Sequence, residues 1–218
     1  MVALESWLDA YLNAVEAAFG KRIWFVGIQG SYARGEATEN SDIDIVLILD
    51  SVNPEDMATY SGLLDSLPHR ELVCGFFSGK EVLLSWDTGE LFQFYYDTLP
   101  VRGSLDAILP LLDRESVKRA IKIGAGNLYH GCVHNLLHGK HTQTLRNLYK
   151  AAVFTLRAVA FLRTGAYPRG YEELQACLTE QERQILETAD FLKNDGIVQF
   201  QEMSEALFLW VQSIILEN

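Results

Sequence analysis

The stretch Asp42-Ile43-Asp44-Ile45-Val46-Leu47-Ile48-Leu49 constrains the fold of this chain more than any other. Side chains on a strand point alternately to its two faces. Read as a strand from Asp42 to Leu49, it projects Asp42 and Asp44 from one side while Ile43, Ile45 and Leu47 pack on the other. A strand needs partners, and the flanking sequence supplies them. Ile23-Trp24-Phe25-Val26-Gly27-Ile28 is rich in β-branched and aromatic residues and ends at Gly30-Ser31. The polar segment Arg34 to Ser41 joins the two as a loop.

Helices fill the rest of the first half. Leu4, Trp7, Leu8, Tyr11, Leu12, Val15 and Phe19 follow helical spacing, and Gly20 supplies a stop. Pro54 to Leu67 reads as a helix, and Glu71 to Phe77 as a third strand. Ser78 can cap a short helix running to about Trp86, and Leu91 to Tyr96 resumes a strand pattern. Leu105 to Leu112 looks helical. From Ser116 onward the periodicity is only helical. One helix is expected over Val117 to His138, softened around Gly124-Ala125-Gly126, and a second over Thr142 to Thr164, ended by Gly165. Thr179 and Glu182 have the spacing of a capping box, Asn194-Asp195-Gly196 reads as a turn, and a last helix carries Leu207, Trp210, Val211 and Ile214 on one face. The expected class is α/β (α+β): a small mixed-sheet domain over residues 1–112, followed by a helical bundle over residues 113–218.

Composition narrows the function. Lys plus Arg number 18 against 29 Asp plus Glu, a formal net charge of −11. Such a chain has no broad attraction for a polyanion, so a long nucleic acid is not the expected partner, whereas a small cationic substrate is favoured by focusing. Glu5, Asp9 and Glu16 interrupt the apolar residues of the first helix, so it does not read as a signal peptide. No stretch approaches the roughly 20 continuous apolar residues that a membrane helix needs. Cys74, Cys132 and Cys177 are odd in number and lack metal-ligand spacing, which reads as buried free thiols and a cytoplasmic protein.

The chemistry is carried by Gly30-Ser31 followed by Asp42-Ile43-Asp44. Two carboxylates about 7 Å apart along a strand can share hard cations that neither holds well alone. Divalent magnesium favours carboxylate oxygens together with substrate phosphates. Gly30 lets the backbone come close to a phosphate, Ser31 can hydrogen-bond it, and Arg34 can fork onto it. An isolated Asp-x-Asp more often means a capping Asp42 and a solvated Asp44. What changes the reading is the glycine-serine turn that precedes the pair by a fixed interval and follows a buried strand.

That joint pattern resembles the signature of the DNA polymerase beta-like nucleotidyltransferase superfamily. The resemblance implies that Gly30 and Ser31 hold a nucleoside triphosphate, ATP in the first instance, and that Asp42 and Asp44 bind magnesium, with two ions expected. It also implies a third carboxylate on a neighbouring strand. Glu71 is the first candidate, against a simple exposed strand-start glutamate, and Asp97 the second. The order of elements, from the Gly-Ser motif through Phe92-Gln93-Phe94 and Leu99-Pro100-Val101 to a helical half with Gly170-Tyr171, is similar to that of the kanamycin nucleotidyltransferase group of aminoglycoside-modifying enzymes. The glutamate base and following lysine of that group's helical domain have no evident counterpart in this sequence.

The expected activity is transfer of a nucleoside monophosphate to a hydroxyl of a small molecule, such as an aminoglycoside-like antibiotic, by a monomer or homodimer. Transfer of AMP onto a protein, as in antitoxins of the superfamily, and a regulatory module that binds nucleotide without turnover are the alternatives. Two further groups stand apart. His130, His134 and His138 share a helical face with His141 three residues on, a row of solvated residues, an acceptor-side base or a metal site. Lys150 and Arg157 mark either a solvated face or a phosphate contact.

Overall fold

The computed structural model describes residues 2–39, 41–194 and 196–217. The chain divides into two compact units, Met1–Asp87 with Phe94–Leu111, and Thr88–Gln93 with Leu112–Asn218. The expected class is borne out: a four-stranded mixed sheet in the first unit and, among the described residues, helices alone from residue 114 onward.

The first unit begins with helix α1 (Leu4–Phe19) and strand β1 (Ile23–Ile28), followed by a single helical turn, α2 (Gly30–Ala33), and strand β2 (Ile43–Leu49). Helix α3 (Pro54–Asp65) crosses over to strand β3 (Val73–Gly79), then come short helix α4 (Lys80–Leu84), helix α5 (Thr88–Asp97) and strand β4 (Leu99–Arg102). The strand order is β3-β2-β1-β4, with β2 antiparallel to β1 and parallel to β3. A helical crossover between parallel neighbours is what a β–α–β unit requires. The alternation read from the sequence now has its physical cause. Ile43, Ile45, Leu47 and Leu49 pack with Val26 and Ile28 against Trp7, Tyr11, Val15 and Phe19 of α1 and against Tyr60 of α3. Each such aliphatic side chain, fully buried, contributes about 1.5–3 kcal/mol. Phe76, Trp86 and Phe94 form an edge-to-face trio in the same unit, with centroids 4.9–6.2 Å apart.

Two expectations are corrected. The third strand starts at Val73, because His69 turns left-handed (φ 61°) and Arg70–Leu72 form a 3-10 turn; Glu71 lies in that turn. Leu91 to Tyr96 is helical, within α5. A short apolar run does not distinguish strand from helix by period alone. Here adjacent Leu91 and Phe92 are both buried, which an alternating strand with one open face does not allow, and Thr98 Oγ1 caps the helix by donating to Phe94 O at 2.5 Å. The 105–112 segment is helical as expected, in the 3-10 form over Asp106–Leu111 with Pro110 inside it.

The helical unit comprises α6 (Arg114–His134), a π turn over Asn135–Gly139, α7 (Thr142–Thr164), α8 (Tyr171–Ala176), α9 (Glu180–Lys193) and α10 (Phe200–Glu217). Helix α6 runs unbroken through Gly124 and Gly126, contrary to the softening expected there. Gly124 serves packing: a Cβ at that position would lie 2.4 Å from Thr155 Oγ1 of α7. Ends fall where the sequence places them. Gly165 closes α7 in a left-handed conformation, and Thr179 with Glu182 caps α9. Of the expected turn at 194–196, Asp195 lies outside the described residues. Leu207, Trp210, Val211 and Ile214 of α10 are buried as one face. Tyr149 Oη donates to Met203 O at 2.9 Å, and Arg163 forks onto the Glu182 carboxylate at 2.9 and 3.1 Å. None of the described helices is long and apolar enough to cross a membrane.

The start of α3 is tied to the start of β1. Asn53 and Asp56 form a capping box, and Arg22 donates to both Asp56 oxygens at 2.6 and 2.9 Å. The Arg22 hydrogen bonds, followed by the Asn53 N–H, hold the Asp56 carboxyl below its ordinary pKa. A carboxyl depressed in the folded state adds stability above its unfolded pKa and loses it as pH falls through the folded one. Asp56→Asn is therefore expected to lower the urea midpoint at pH 7, with the gap to wild type narrowing below about pH 4. An equal gap at both pH values would contradict this linkage.

Candidate active site

The end of β1 feeds directly into the Gly-Ser turn. Gln29 N donates to Asp44 O at 2.8 Å, which continues the β1–β2 pairing by one residue and sets Gly30 beside Asp44. Gln29 Nε2 donates to Thr98 Oγ1 at 2.8 Å, fixing the same corner from the side of β4. Gly30 adopts φ +67°, a left-handed conformation that favours glycine. A Cβ on Gly30 would lie 1.9 Å from Asp44 Oδ2. No other residue fits there without displacing the carboxylate. Ser31 follows at the start of the helical turn, half-buried, and Tyr32 and Ala33 anchor the turn against the core.

The loop to β2 is held by its own bonds. Glu36 N donates to Ser31 O at 2.8 Å, and Thr38 N to Ser41 Oγ at 2.8 Å. Asp42 emerges from it, exposed, one residue before β2 begins, and Asp44 is half-buried within the strand. Arg34 folds back along the loop. Its side chain is 14% exposed and Nε reaches Glu36 Oε2 at 3.4 Å, while Nη1 is buried without a hydrogen-bond partner. A buried guanidinium N–H in this state is uncommon and leaves Arg34 with donor capacity the protein does not use.

Gly30, Ser31, Arg34, Asp42 and Asp44 thus fall on one corner of the sheet, spanning the ends of β1 and β2 and the loop between them. Glu71 lies on the neighbouring strand's lead-in, since Val73, the first residue of β3, is level with Ile43 of β2. Its side chain is 73% exposed in the turn before β3, with His69 Nδ1 3.9 Å away. The residue beside Asp44 in the β2–β3 register is Cys74. Cys74 is exposed, which corrects the reading of all three cysteines as buried; β3 is an edge strand. Cys132 is buried, and burial pushes its thiol up to about 11. Asp97 is buried at the end of α5, two residues before Leu99, the β4 partner of Ile28. Gln29 and Thr98, which fix the turn, carry no sequence signal beyond their neighbours; only the β1–β4 pairing brings them together.

In the helical unit, His130, His134, His138 and His141 are all exposed, and Lys150 is exposed as well. Arg157 is buried instead, with Nη2 donating to Arg169 O at 3.2 Å, so the two cations do not share a solvated face. The same unit holds a cavity of about 250 Å³, bordered by Glu90 and Gln93 of α5, Asn127 of α6, and Phe154 and Thr155 of α7.

Gly30→Ala can be separated into its two costs. The left-handed backbone alone costs about 1–2 kcal/mol in an L-residue. Gly35 has nearly the same φ, +70°, but nothing within 4 Å of a Cβ. Thermal melts should show Gly30→Ala losing clearly more stability than Gly35→Ala. Equal losses would mean that the Gly30–Asp44 approach is looser than described.

Comparison with known proteins agrees with this geometry. A family model described as "Nucleotidyltransferase domain" matches residues 9–123, more than half of the chain. No protein with a curated description matches by sequence. Among solved structures, the fold is similar to spectinomycin adenyltransferase from Enterococcus faecialis, crystallised with ATP and spectinomycin, with a TM-score of 0.63 at 10% identity over 97% of this chain and 99% of that one. With the Gly-Ser turn set against Asp44 and the family model spanning both, the chain belongs to the nucleotidyltransferase domain family.

Proposed function

We propose that this enzyme transfers a nucleoside monophosphate from a nucleoside triphosphate, ATP in the first instance, to a hydroxyl of a small-molecule acceptor of the aminoglycoside type. The observation that carries this reading is the approach of Gly30 to Asp44. It gives a triphosphate a backbone surface with no side chain on it, directly against a carboxylate.

The donor set suits magnesium. Asp42 and Asp44 offer hard oxygen ligands at the mouth and on the floor of the same corner, and substrate phosphates and water complete such a sphere. Among the described residues no three His, Cys, Asp or Glu side chains converge into a full cage, which magnesium does not need. Bound magnesium supplies charge neutralisation at the phosphates and polarises the one under attack. The chain's own residues do the positioning. Gly30 and Ser31 hold the triphosphate through backbone and Oγ, and the unpartnered Arg34 Nη1 donates to a phosphate oxygen. The acceptor hydroxyl attacks the α-phosphorus, its proton passes to a carboxylate, and pyrophosphate leaves. Positioning and charge complementarity account for most of the rate in such transfers. The proton acceptor is drawn from Glu71, in the turn leading to β3, and Asp97, beside the β4 end of the corner. The base is the one whose amide variant loses turnover while nucleotide still binds.

Support for a small cationic acceptor comes from two directions. The net charge of −11 attracts a cation. The cavity of the helical unit has one charged lining residue, the carboxylate Glu90, beside two amides, aliphatic side chains and the single ring of Phe154, which suits an amine-bearing ring. The structural neighbour was crystallised with ATP and an antibiotic, and its likeness extends over both units. Asp42→Asn and Asp44→Asn should each lower magnesium-dependent pyrophosphate release by about a hundredfold or more while the thermal melt stays near wild type. Either variant retaining wild-type turnover would refute the assignment.

A further inference from the structure

The histidine row of the helical unit has a geometry that the transfer reaction does not use. We propose that His134 and His138 chelate one zinc ion or another borderline divalent transition metal at the C-terminal end of α6. An imidazole nitrogen binds zinc at about 2.0–2.1 Å, which puts the ion about 3.2 Å from the ring centre. Two rings on one tetrahedral ion therefore have centres about 5.2 Å apart. The His134 and His138 rings stand 5.2 Å apart, inclined by 60°. His130 and His134 stand 6.2 Å apart, which would open the angle at the ion to about 150°.

The closer pair is a product of the backbone. His134 ends α6, and His138 lies in the π turn Asn135–Gly139. Lys140 N closes that turn onto Asn135 O at 2.6 Å. Buried Asn135 locks it by pairing both side-chain atoms with the His141 backbone, Nδ2 donating to O and Oδ1 accepting from N, each at 3.0 Å. Wide turns of this kind inside helices are rare and concentrate at functional positions. Here the turn presents His138 to His134 on a fixed frame, and both rings are exposed to incoming ions.

The chemistry of the ligands sets the class of ion. Neutral imidazole selects zinc, nickel and copper, whereas the carboxylate pair Asp42 and Asp44 selects magnesium. With magnesium in excess at the carboxylate pair, the borderline ion is left to the imidazoles. No third His, Cys, Asp or Glu joins the pair among the described residues, so water fills the remaining positions. The site is exchangeable, and its ion staples the end of α6 to the π turn.

The test is calorimetric titration of zinc into the whole chain with magnesium in excess, so that hard oxygen sites are already filled. Wild type should take up one zinc per chain. His134→Gln and His138→Gln should each weaken that binding about tenfold or more, and His130→Gln should leave it within roughly twofold. Circular dichroism confirms that each variant is folded. Absence of zinc uptake by wild type, or unchanged affinity in either His134→Gln or His138→Gln, would overturn the proposal. Neither result depends on nucleotide turnover, so the outcome is separate from the fate of the transferase assignment.

Discussion

Asp44 occupies the space that a side chain on Gly30 would fill, and much of the first unit follows from that exclusion. For Oδ2 to lie there, β1 and β2 must stay paired through the Ile28–Ile45 end, which the Gln29–Asp44 backbone bond secures. The turn after β1 must then pass left-handed through Gly30, at a backbone cost only glycine avoids. Beneath it, α1 and α3 hold the odd-numbered residues of β2 as a dry floor, leaving Asp44 on the other face. The hydrophobic pattern of β2 and the polarity of its first turn are thus one design: burial fixes where the carboxylate stands.

Much of this could be read from sequence because it rests on local rules. The Gly-Ser turn, the Asp-x-Asp strand, the Thr179–Glu182 box and the Gly165 stop each have a short-range cause. What escaped is what depends on partners far along the chain. Leu91 to Tyr96 satisfies strand propensity, and only the packing of Phe94 against Phe76 and Trp86, with the Thr98 cap, makes it a helix. Glu71 reads as a strand start until His69 turns left-handed and delays β3 by two residues. Cys74 reads as buried until the strand order places it on an edge. Gly124 reads as a weak point in a helix until Thr155 is found against it. In each case tertiary packing chose between local options that the sequence left open.

The two units carry complementary chemistry. The sheet unit brings a bare backbone turn, two carboxylates and a buried, unbonded guanidinium nitrogen into one corner, the side on which the proposed function places the nucleotide. The helical unit holds a cavity with apolar walls, one lining carboxylate and two amides, which the proposed function assigns to the acceptor. The family model reaches through the sheet unit into α6, and the likeness to the spectinomycin adenyltransferase structure extends along the whole chain.

Mass spectrometry of the acceptor tests the central proposal most directly. The chain is incubated with magnesium, ATP and one compound at a time from a panel of aminoglycosides and aminocyclitols, with neutral polyols as controls. The account predicts that one amine-bearing compound gains the mass of an adenylyl group, with an equal amount of pyrophosphate, and that Asp44→Asn abolishes both. Pyrophosphate release that is independent of every panel member, or the mass gain appearing on a protein instead, would contradict a small-molecule acceptor.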